Sequence, residues 1–421
     1  MSPKLQPARG TRDILPDEYR LHRHVVETAR HASEVFGFAE IATPIFEFTE
    51  VFQRTLGDTS DIVSKEMYTF EDRGGESITL RPEFTAGIAR CFIANGLSQS
   101  TPCRFFSHGP IFRYERPQKG RYRQFHQINM EIMGLSEPEA DVEAISLAVL
   151  ILERLGILDK TTLEINSLGD TESRNRYRDA LVKYFEQHKA KLSEDSLTRL
   201  VKNPMRILDS KDENDRAIVA GAPSLQDYYT DEAKAFFARV TEGLKRLGIR
   251  YKINSRLVRG LDYYCHTAFE FTTDLLGSQG TVLAGGRYDN LISTMGGPET
   301  PAVGFGGGIE RLGMLMEAVA GQGIAAPRPI ALIPIGERAE QEALGLAYTL
   351  RKEGFTIDMA YSGNPGKRMK KANKANAVAA LMLGDDEINQ GVITLRDMDK
   401  GTENKVSAEG LIDALTEYKG A

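Results

Sequence analysis

Apolar positions recur at helical spacing after Leu15 as far as Val35 and Phe36, and Pro16 suits a first turn, so the chain is expected to open with a long helix. GFAEIATPIFEFTEVF reads as extended and broken at Pro44, because proline cannot donate to a central ladder. MYTFEDRGGESITLRPE forms two strand-like runs around Gly74 and Gly75, the pattern of a hairpin. PEFTAGIARCFIANG predicts a helix that stops at Gly96. CRFFSHGPIFRYE and QFHQINMEIMG predict a second, longer hairpin, and ADVEAISLAVLILERLG a strongly amphipathic helix. From about Asp170 to Tyr251 strand-like runs vanish and charge density rises, so this stretch is read as a helical insertion. Strand signals return at KINSRLVRGLDYY, TAFEFTT and TVLAGGRYDNL, and AVGFGGGIERLGMLMEAV reads as a glycine-rich strand entering a helix. After the linker GQGIAAPRP, the strand-like IALIPIG, FTIDMAY, AVAALMLG and VITLRD are interleaved with helical stretches, which predicts a compact α/β domain. The expected organisation is therefore α+β in residues 1–325, with antiparallel hairpins and an insertion at about 170–251, followed by an α/β domain in 326–421.

A length of 421 residues fits two or three domains. The net charge of -6 removes general polycation character, so any contact with nucleic acid must come from local patches. Cys91, Cys103 and Cys265 are far apart and lack CxxC spacing, which argues against a disulfide framework or a metal motif and fits a reducing cytoplasm. The polar N-terminal stretch MSPKLQPARGTRDILP predicts no secretory signal, and no apolar run predicts a membrane span.

RYERPQKGRYRQFHQ, residues 113–127, changes that picture locally. It carries Arg113, Arg116, Lys119, Arg121 and Arg123 against one carboxylate, Glu115. Arginine dominates, and its planar fork suits bidentate contact with phosphate. Tyr114, Tyr122, Phe125 and His126 interleave with the cations, so bases could stack while phosphates are held. Glu115 lies two residues from Arg113, on the same face of a strand, where a carboxylate suits a base amino group better than a phosphate. A solvated hairpin tip is the plain alternative. GFGGGIERL and GNPGK fit neither the dinucleotide nor the P-loop glycine spacing and can be simple turns. In LVRGLDYY, Arg259 interrupts a strand-like run, either as a functional cation or as a structural partner of Asp262. Arg311 opens a helix beside a glycine-lined strand. GKRMKKANKAN carries Lys367, Arg368, Lys370, Lys371 and Lys374 without an acid, and is either a solvated helix face or an RNA contact.

Taken in order, ARGTRDILP, TPIFEFTEVF, YTFEDRGGESITLRPE, FRYERPQKGRYRQFHQ, LVRGLDYY, AGGRYDNL and GFGGGIERL resemble histidyl-tRNA synthetase, a class II aminoacyl-tRNA synthetase, over nearly the whole chain. The resemblance implies a six-stranded antiparallel class II catalytic core and a C-terminal anticodon-binding domain. Motif 1, around Pro44, would lie at a homodimer interface, with the basic hairpin as motif 2 and GFGGGIERL as motif 3. It implies L-histidine, ATP with Mg²⁺, and histidine tRNA as ligands. Arg113 would hold the α-phosphate, Arg121 the γ-phosphate and Glu115 the adenine amino group. Phe125 and Arg311 would sandwich adenine. Arg259 would be the catalytic arginine between the histidine carboxylate and the α-phosphate, and Glu83, Thr85 and Gln127 would take the α-amino group. Glu131 and Tyr264 would face the imidazole, with Tyr263 and Tyr288 alongside. Arg116 and Gln118 would meet the tRNA acceptor end, and Lys367, Arg368, Lys370 and Lys371 its anticodon arm. Phe84 is bulkier than the small residue often found there, which is read as a packing difference. The alternative is a non-catalytic, synthetase-like regulatory subunit of ATP phosphoribosyltransferase; such paralogues generally lack the C-terminal domain and the motif 2 and RGLDYY arginines. A plain nucleic-acid-binding module is disfavoured by the net charge.

Overall fold

The computed structural model describes residues 5–56, 62–118, 120–210, 212–258, 263–277, 280–321 and 323–420. The chain divides into two compact units, Met1–Gly323 and Ile324–Ala421.

In the first unit, α1 (Pro16–Val35) buries Leu21, Val25, Val26, Ala29 and Ala32, the stripe that its helical spacing predicts. β1 (Ala39–Glu40) and β2 (Phe46–Phe48) flank Pro44. The segment TEVF departs from the extended reading and begins α2 (Thr49–Leu56). The Thr49 hydroxyl is 2.7 Å from that of Ser77 and 2.9 Å from that of Thr79, which pins the turn, and Val51, Phe52 and Thr55 are buried at helical spacing. β3 (Tyr68–Glu71) and β4 (Ser77–Leu80) form the expected hairpin, and α3 (Thr85–Ala94) follows, with Gly96 in the left-handed region just beyond it. β5 (Cys103–Phe112) and β6 (Gln124–Met133) are the long hairpin, followed by α4 (Pro138–Arg154) and β7 (Thr162–Ser167).

The insertion is helical, with α5 (Thr171–Gln187), α6 (Glu194–Lys202), α7 (Glu213–Val219) and α8 (Asp231–Arg246). It has its own core around Tyr177, Leu181, Phe185 and Ile207, and buried Asp215 accepts from the hydroxyls of Ser193, Ser196 and Ser210 at 2.6–2.7 Å. Of the strand expected across KINSRLVRGLDYY, the described residues up to 258 show β8 (Lys252–Ile253). Asn254 ends it, because its side-chain oxygen accepts from the Arg256 N–H at 3.0 Å and turns the chain. β9 (Cys265–Thr272), β10 (Thr281–Arg287), α9 (Leu291–Thr294), β11 (Ala302–Gly308) and α10 (Ile309–Ala320) complete the unit.

Its main sheet runs β1-β5-β6-β11-β10-β9-β7-β8. The inner six strands, β5 to β7 in that order, pair antiparallel throughout, and β1 and β8 add parallel edges. This is the antiparallel core that the sequence resemblance implies. Ile128, Met130 and Ile132 of β6 pack in one core with α1, α4 and α10. The intervening residues of β6 therefore point to the other face of the sheet.

The second unit comprises β12 (Ile330–Ile335), α11 (Glu337–Lys352), β13 (Ile357–Met359), α12 (Pro365–Lys374), β14 (Ala379–Gly384), α13 (Asp385–Gln390), β15 (Val392–Asp397), β16 (Glu403–Ser407) and α14 (Leu411–Leu415). Its sheet order is β13-β12-β14-β15-β16, with β13, β12 and β14 parallel. The α/β reading of this part matches. β16 escaped sequence analysis because ENKVS is almost wholly exposed and has no apolar alternation.

Candidate active site

On the second face of the sheet lies a cavity of about 310 Å³. Thr85, Arg113, Glu115, Arg121, Phe125, Gln127, Tyr263, Tyr264 and Arg311 all line it, with Glu83 and Phe84. Residues separated by well over 100 positions in sequence therefore meet around one space.

Glu131 and Tyr288 are not among the lining residues; at one end of the cavity they stand next to Thr85 and Tyr264, which are, on and beside a strand pair. Glu131 of β6 stands opposite Gly304 of β11. A Cβ on Gly304 would fall 1.7 Å from Glu131 Oε2, so a glycine is needed for the carboxylate to lie flat across the sheet. Gly286 does the same for Tyr264, because a Cβ there would sit 2.9 Å from the ring and 2.6 Å from the Thr267 carbonyl. The glycines of these strands thus make room for side chains and are not a nucleotide loop. Glu131 is 1% exposed. Thr85 Oγ1 donates to one of its oxygens at 2.6 Å, and the Tyr288 hydroxyl donates to the other. Burial pushes the Glu131 carboxyl up to about 8, although both hydrogen bonds oppose the shift. Glu83 is also buried; its oxygens accept from the Thr85 N–H at 2.6 Å and the Ala86 N–H at 2.8 Å, at the start of α3. Burial raises this carboxyl too, while the backbone donors hold it down. The Tyr263 and Tyr264 ring centres are 4.6 Å apart, and Tyr288 meets Tyr263 edge-on at 5.6 Å.

The other end is cationic. Arg113 Nε donates to the Pro82 carbonyl at 2.9 Å, and its guanidinium lies 5.6 Å from the Phe125 ring centre. Arg311, in the first turn of α10, donates to the Thr281 carbonyl at 2.8 Å. Burial lowers the proton affinity of Arg311, as do Arg121 and Arg113, while Glu115 opposes them. Arg121 Nη1 lies 3.2 Å from Glu115 Oε2. That oxygen is buried, and among the described residues no donor is aligned for a hydrogen bond to it. The cluster presents guanidinium groups to a polyanion and, in Glu115, one acceptor to a neutral donor.

Arg259 and Asp262 lie outside the described residues, as does Lys119. Arg116 and Gln118 are exposed at the hairpin tip, where Gln118 and Arg121 close a tight turn. In the second unit, Lys367, Lys370 and Lys371 of α12 are exposed, and Lys371 Nζ lies 3.3 Å from Asp358. Arg368 departs from the expectation of an RNA-facing cation. It is only 6% exposed, donates to the Pro334 carbonyl and pairs with Glu340, so its charge is committed inside the fold.

Sequence reasoning missed Asn129, which lines the cavity and leaves a buried side-chain oxygen without a hydrogen-bond partner among the described residues. Alternation along β6, from Phe125 through Gln127 and Asn129 to Glu131, carried that signal. It also missed Glu270, which accepts from the Thr281 hydroxyl at 3.0 Å on the cavity wall. Arg81 was missed as well; it donates to the Pro110 carbonyl at 2.8 Å and covers the Phe84 ring at 4.2 Å. Phe84 itself is 2% exposed and packs with Ile88 and Phe92, which accounts for its bulk.

A family model described as histidyl-tRNA synthetase matches residues 10–312, and one described as an anticodon-binding domain matches residues 330–418. The chain is 58% identical to a histidine–tRNA ligase of Rhodospirillum rubrum over 414 residues, covering 98% of this chain and 99% of the relative. It is 54% identical to that of Gluconacetobacter diazotrophicus, with 98% of each chain covered. A crystal structure of apo S. aureus histidyl-tRNA synthetase superposes with a TM-score of 0.84 at 32% identity, covering 98% of this chain and 99% of that one.

Proposed function

The chain belongs to the histidyl-tRNA synthetase family, and from that premise we propose how its residues divide the work. The activity is that of an aminoacyl-tRNA ligase that uses ATP to join histidine to tRNA. The regulatory-subunit alternative is not favoured: full-length relatives above 50% identity are histidine–tRNA ligases, and both the motif 2 arginines and the C-terminal unit are present.

The observation that carries the residue assignments is the polarity of the cavity, with the buried Glu83 carboxyl and the phenols of Tyr263 and Tyr264 at one end and arginines around Glu115 at the other. A neutral imidazole presents one N–H donor and one acceptor nitrogen. Glu131 and Tyr264 would satisfy both, with Tyr263 holding the wall and Tyr288 fixing Glu131. An amino acid without those groups leaves buried polar atoms unpaired, which discriminates by about 10⁴–10⁵. Glu83, Thr85 and Gln127 would take the α-amino group. Glu115 Oε2 would accept from the adenine amino group, between Phe125 and Arg311.

Histidine's carboxylate oxygen then attacks the α-phosphorus, the bond to the bridging oxygen breaks, and pyrophosphate leaves with that electron pair. Arg113 and Arg259 would stabilise the charge on the α-phosphate, and Arg121 and Arg311 the departing phosphates. In the second step a terminal ribose hydroxyl of tRNA attacks the activated carbonyl and AMP departs. Mg²⁺ prefers oxygen ligands, and the Glu270 carboxylate on the cavity wall fits it; the ion would neutralise charge on the triphosphate. Arg116 and Gln118 would meet the acceptor end, and Lys367, Lys370 and Lys371 the anticodon arm. The enzyme would work in the cytoplasm as a homodimer; Cys91, Cys103 and Cys265 are free thiols.

Amino-acid-dependent ATP–pyrophosphate exchange tests this reading. Exchange with histidine alone is expected, and folded protein that exchanges with no amino acid overturns it. Arg259→Ala should slow exchange on the order of 10³-fold while ATP still binds. Near-normal exchange would make Arg259 structural.

A further inference from the structure

At the edge of the cavity, which Glu310 lines, His22 of α1, His126 of β6 and Glu310 of α10 converge. One ligand-capable atom from each lies within 4.8 Å of the other two. His126 Nδ1 is 2.8 Å from Glu310 Oε1, and the His126 backbone N–H donates to the same carboxylate at 3.0 and 3.1 Å. The His22 ring meets the His126 ring edge-on, with centres 4.6 Å apart. His22 Nε2 is buried and has no hydrogen-bond partner among the described residues. An orphaned buried imidazole nitrogen is destabilising, and nothing in the reaction uses it.

We propose that His22, His126 and Glu310 form a binding site for a divalent transition ion of the zinc class, with a fourth position open to water. Two imidazoles and one carboxylate are the donor set that such ions select, whereas Mg²⁺ and Ca²⁺ prefer all-oxygen sites. Bonds of about 2.0–2.2 Å hold ligand atoms of a tetrahedral site roughly 3.5 Å apart. The ligand atoms now lie within 4.8 Å of one another, so a bound ion would draw them together by about 1 Å. The ion would tie α1 to β6 and α10, the elements that carry Phe125 and Arg311, at the Glu310 edge of the cavity.

Full-length protein stripped with chelator should be titrated with Zn²⁺ by calorimetry, and with Co²⁺ followed by its visible bands. Binding of one ion per chain with a Kd of about 1 μM or tighter is expected, with tetrahedral Co²⁺ bands. His22→Leu should weaken binding by at least about tenfold and abolish those bands. His22→Gln serves as a second variant should leucine disturb folding. The proposal is overturned by wild-type protein that binds no Zn²⁺ at roughly 100 μM. It is equally overturned if a folded His22 variant binds with unchanged affinity, which would place the ion on other histidines.

Discussion

Glu131 shows how much one residue's surroundings decide. Its carboxyl is lifted to about 8 in the fold, far above the ordinary value of 4.5. Between those two values the unfolded chain ionises and the folded chain does not. Stability must therefore fall as pH rises through that window, with the penalty absent below about 4.5 and complete above about 8. Glu131→Gln removes this proton linkage. The difference in unfolding free energy between wild type and variant, measured by urea denaturation from pH 5 to 9, should move steadily in the variant's favour up to about pH 8 and then level off. A pH-independent difference would mean that Glu131 is ionised in the fold. The resemblance pointed to Glu131, Thr85 and Tyr288, but no local pattern shows that they touch. Thr85 and Tyr288 lie 46 and 157 positions away, and periodicity reports only which face of its own element a residue occupies. Arg368 was misread for the same reason, since Glu340, the partner that draws it inward, is 28 positions away.

Among the elements, the long periodic helices and alternating hairpins were legible, while α2, β8 and β16 were not. Side-chain hydroxyls redirect the chain at Thr49, and an asparagine turn cuts β8 short; neither leaves a hydrophobic period. The end of β10 hides a further device. Arg287 is fully buried and donates to Asp141 of α4 at 2.9 Å, to Asp289 at 3.0 Å and to the Leu135 carbonyl at 2.9 Å. It thus bolts β10 to the start of α4, one residue before Tyr288. Arg287→Met leaves the Asp141 carboxyl buried without its cationic partner, and should cost about 3–5 kcal/mol in urea denaturation. Combining it with Asp141→Leu should restore much of that loss, because a buried pair replaced by apolar groups is often near neutral. The histidine KM should stay raised in the double variant if the bolt also aims Tyr288. A double variant as unstable as the single one would show that packing, not the stranded carboxyl, sets the cost.

At the scale of the whole molecule, one surface is at odds with an isolated chain in water. The small sheet runs β2-β4-β3, and its register sets Phe46 and Tyr68 beside Leu80, and Phe48 and Phe70 beside Ile78, all on one face. Phe46, Phe48 and Phe70 are 56%, 49% and 49% exposed, and Ile45 next to them is 43% exposed. The opposite face is closed by the hydroxyls of Thr49, Thr69 and Thr79 and by the Glu47–Arg90 pair. A contiguous aromatic patch of this kind suits a self-complementary contact with a second copy of the chain. Each ring is already about half buried in the single chain, so covering the rest is worth about 0.75–1.5 kcal/mol, and a symmetric contact covers four such rings; placing glutamates at both Phe46 and Phe48 should therefore remove about 3–6 kcal/mol. The dimer dissociation constant should then rise by about 10²–10⁴. Sedimentation equilibrium should give the mass of two chains for the wild type and of one chain for the Phe46→Glu, Phe48→Glu variant at micromolar concentration. Circular dichroism should be unchanged, because these rings fill no part of the core. A wild type that sediments as one chain, or a double variant that remains paired, would place the contact elsewhere and leave the aromatic face to another partner.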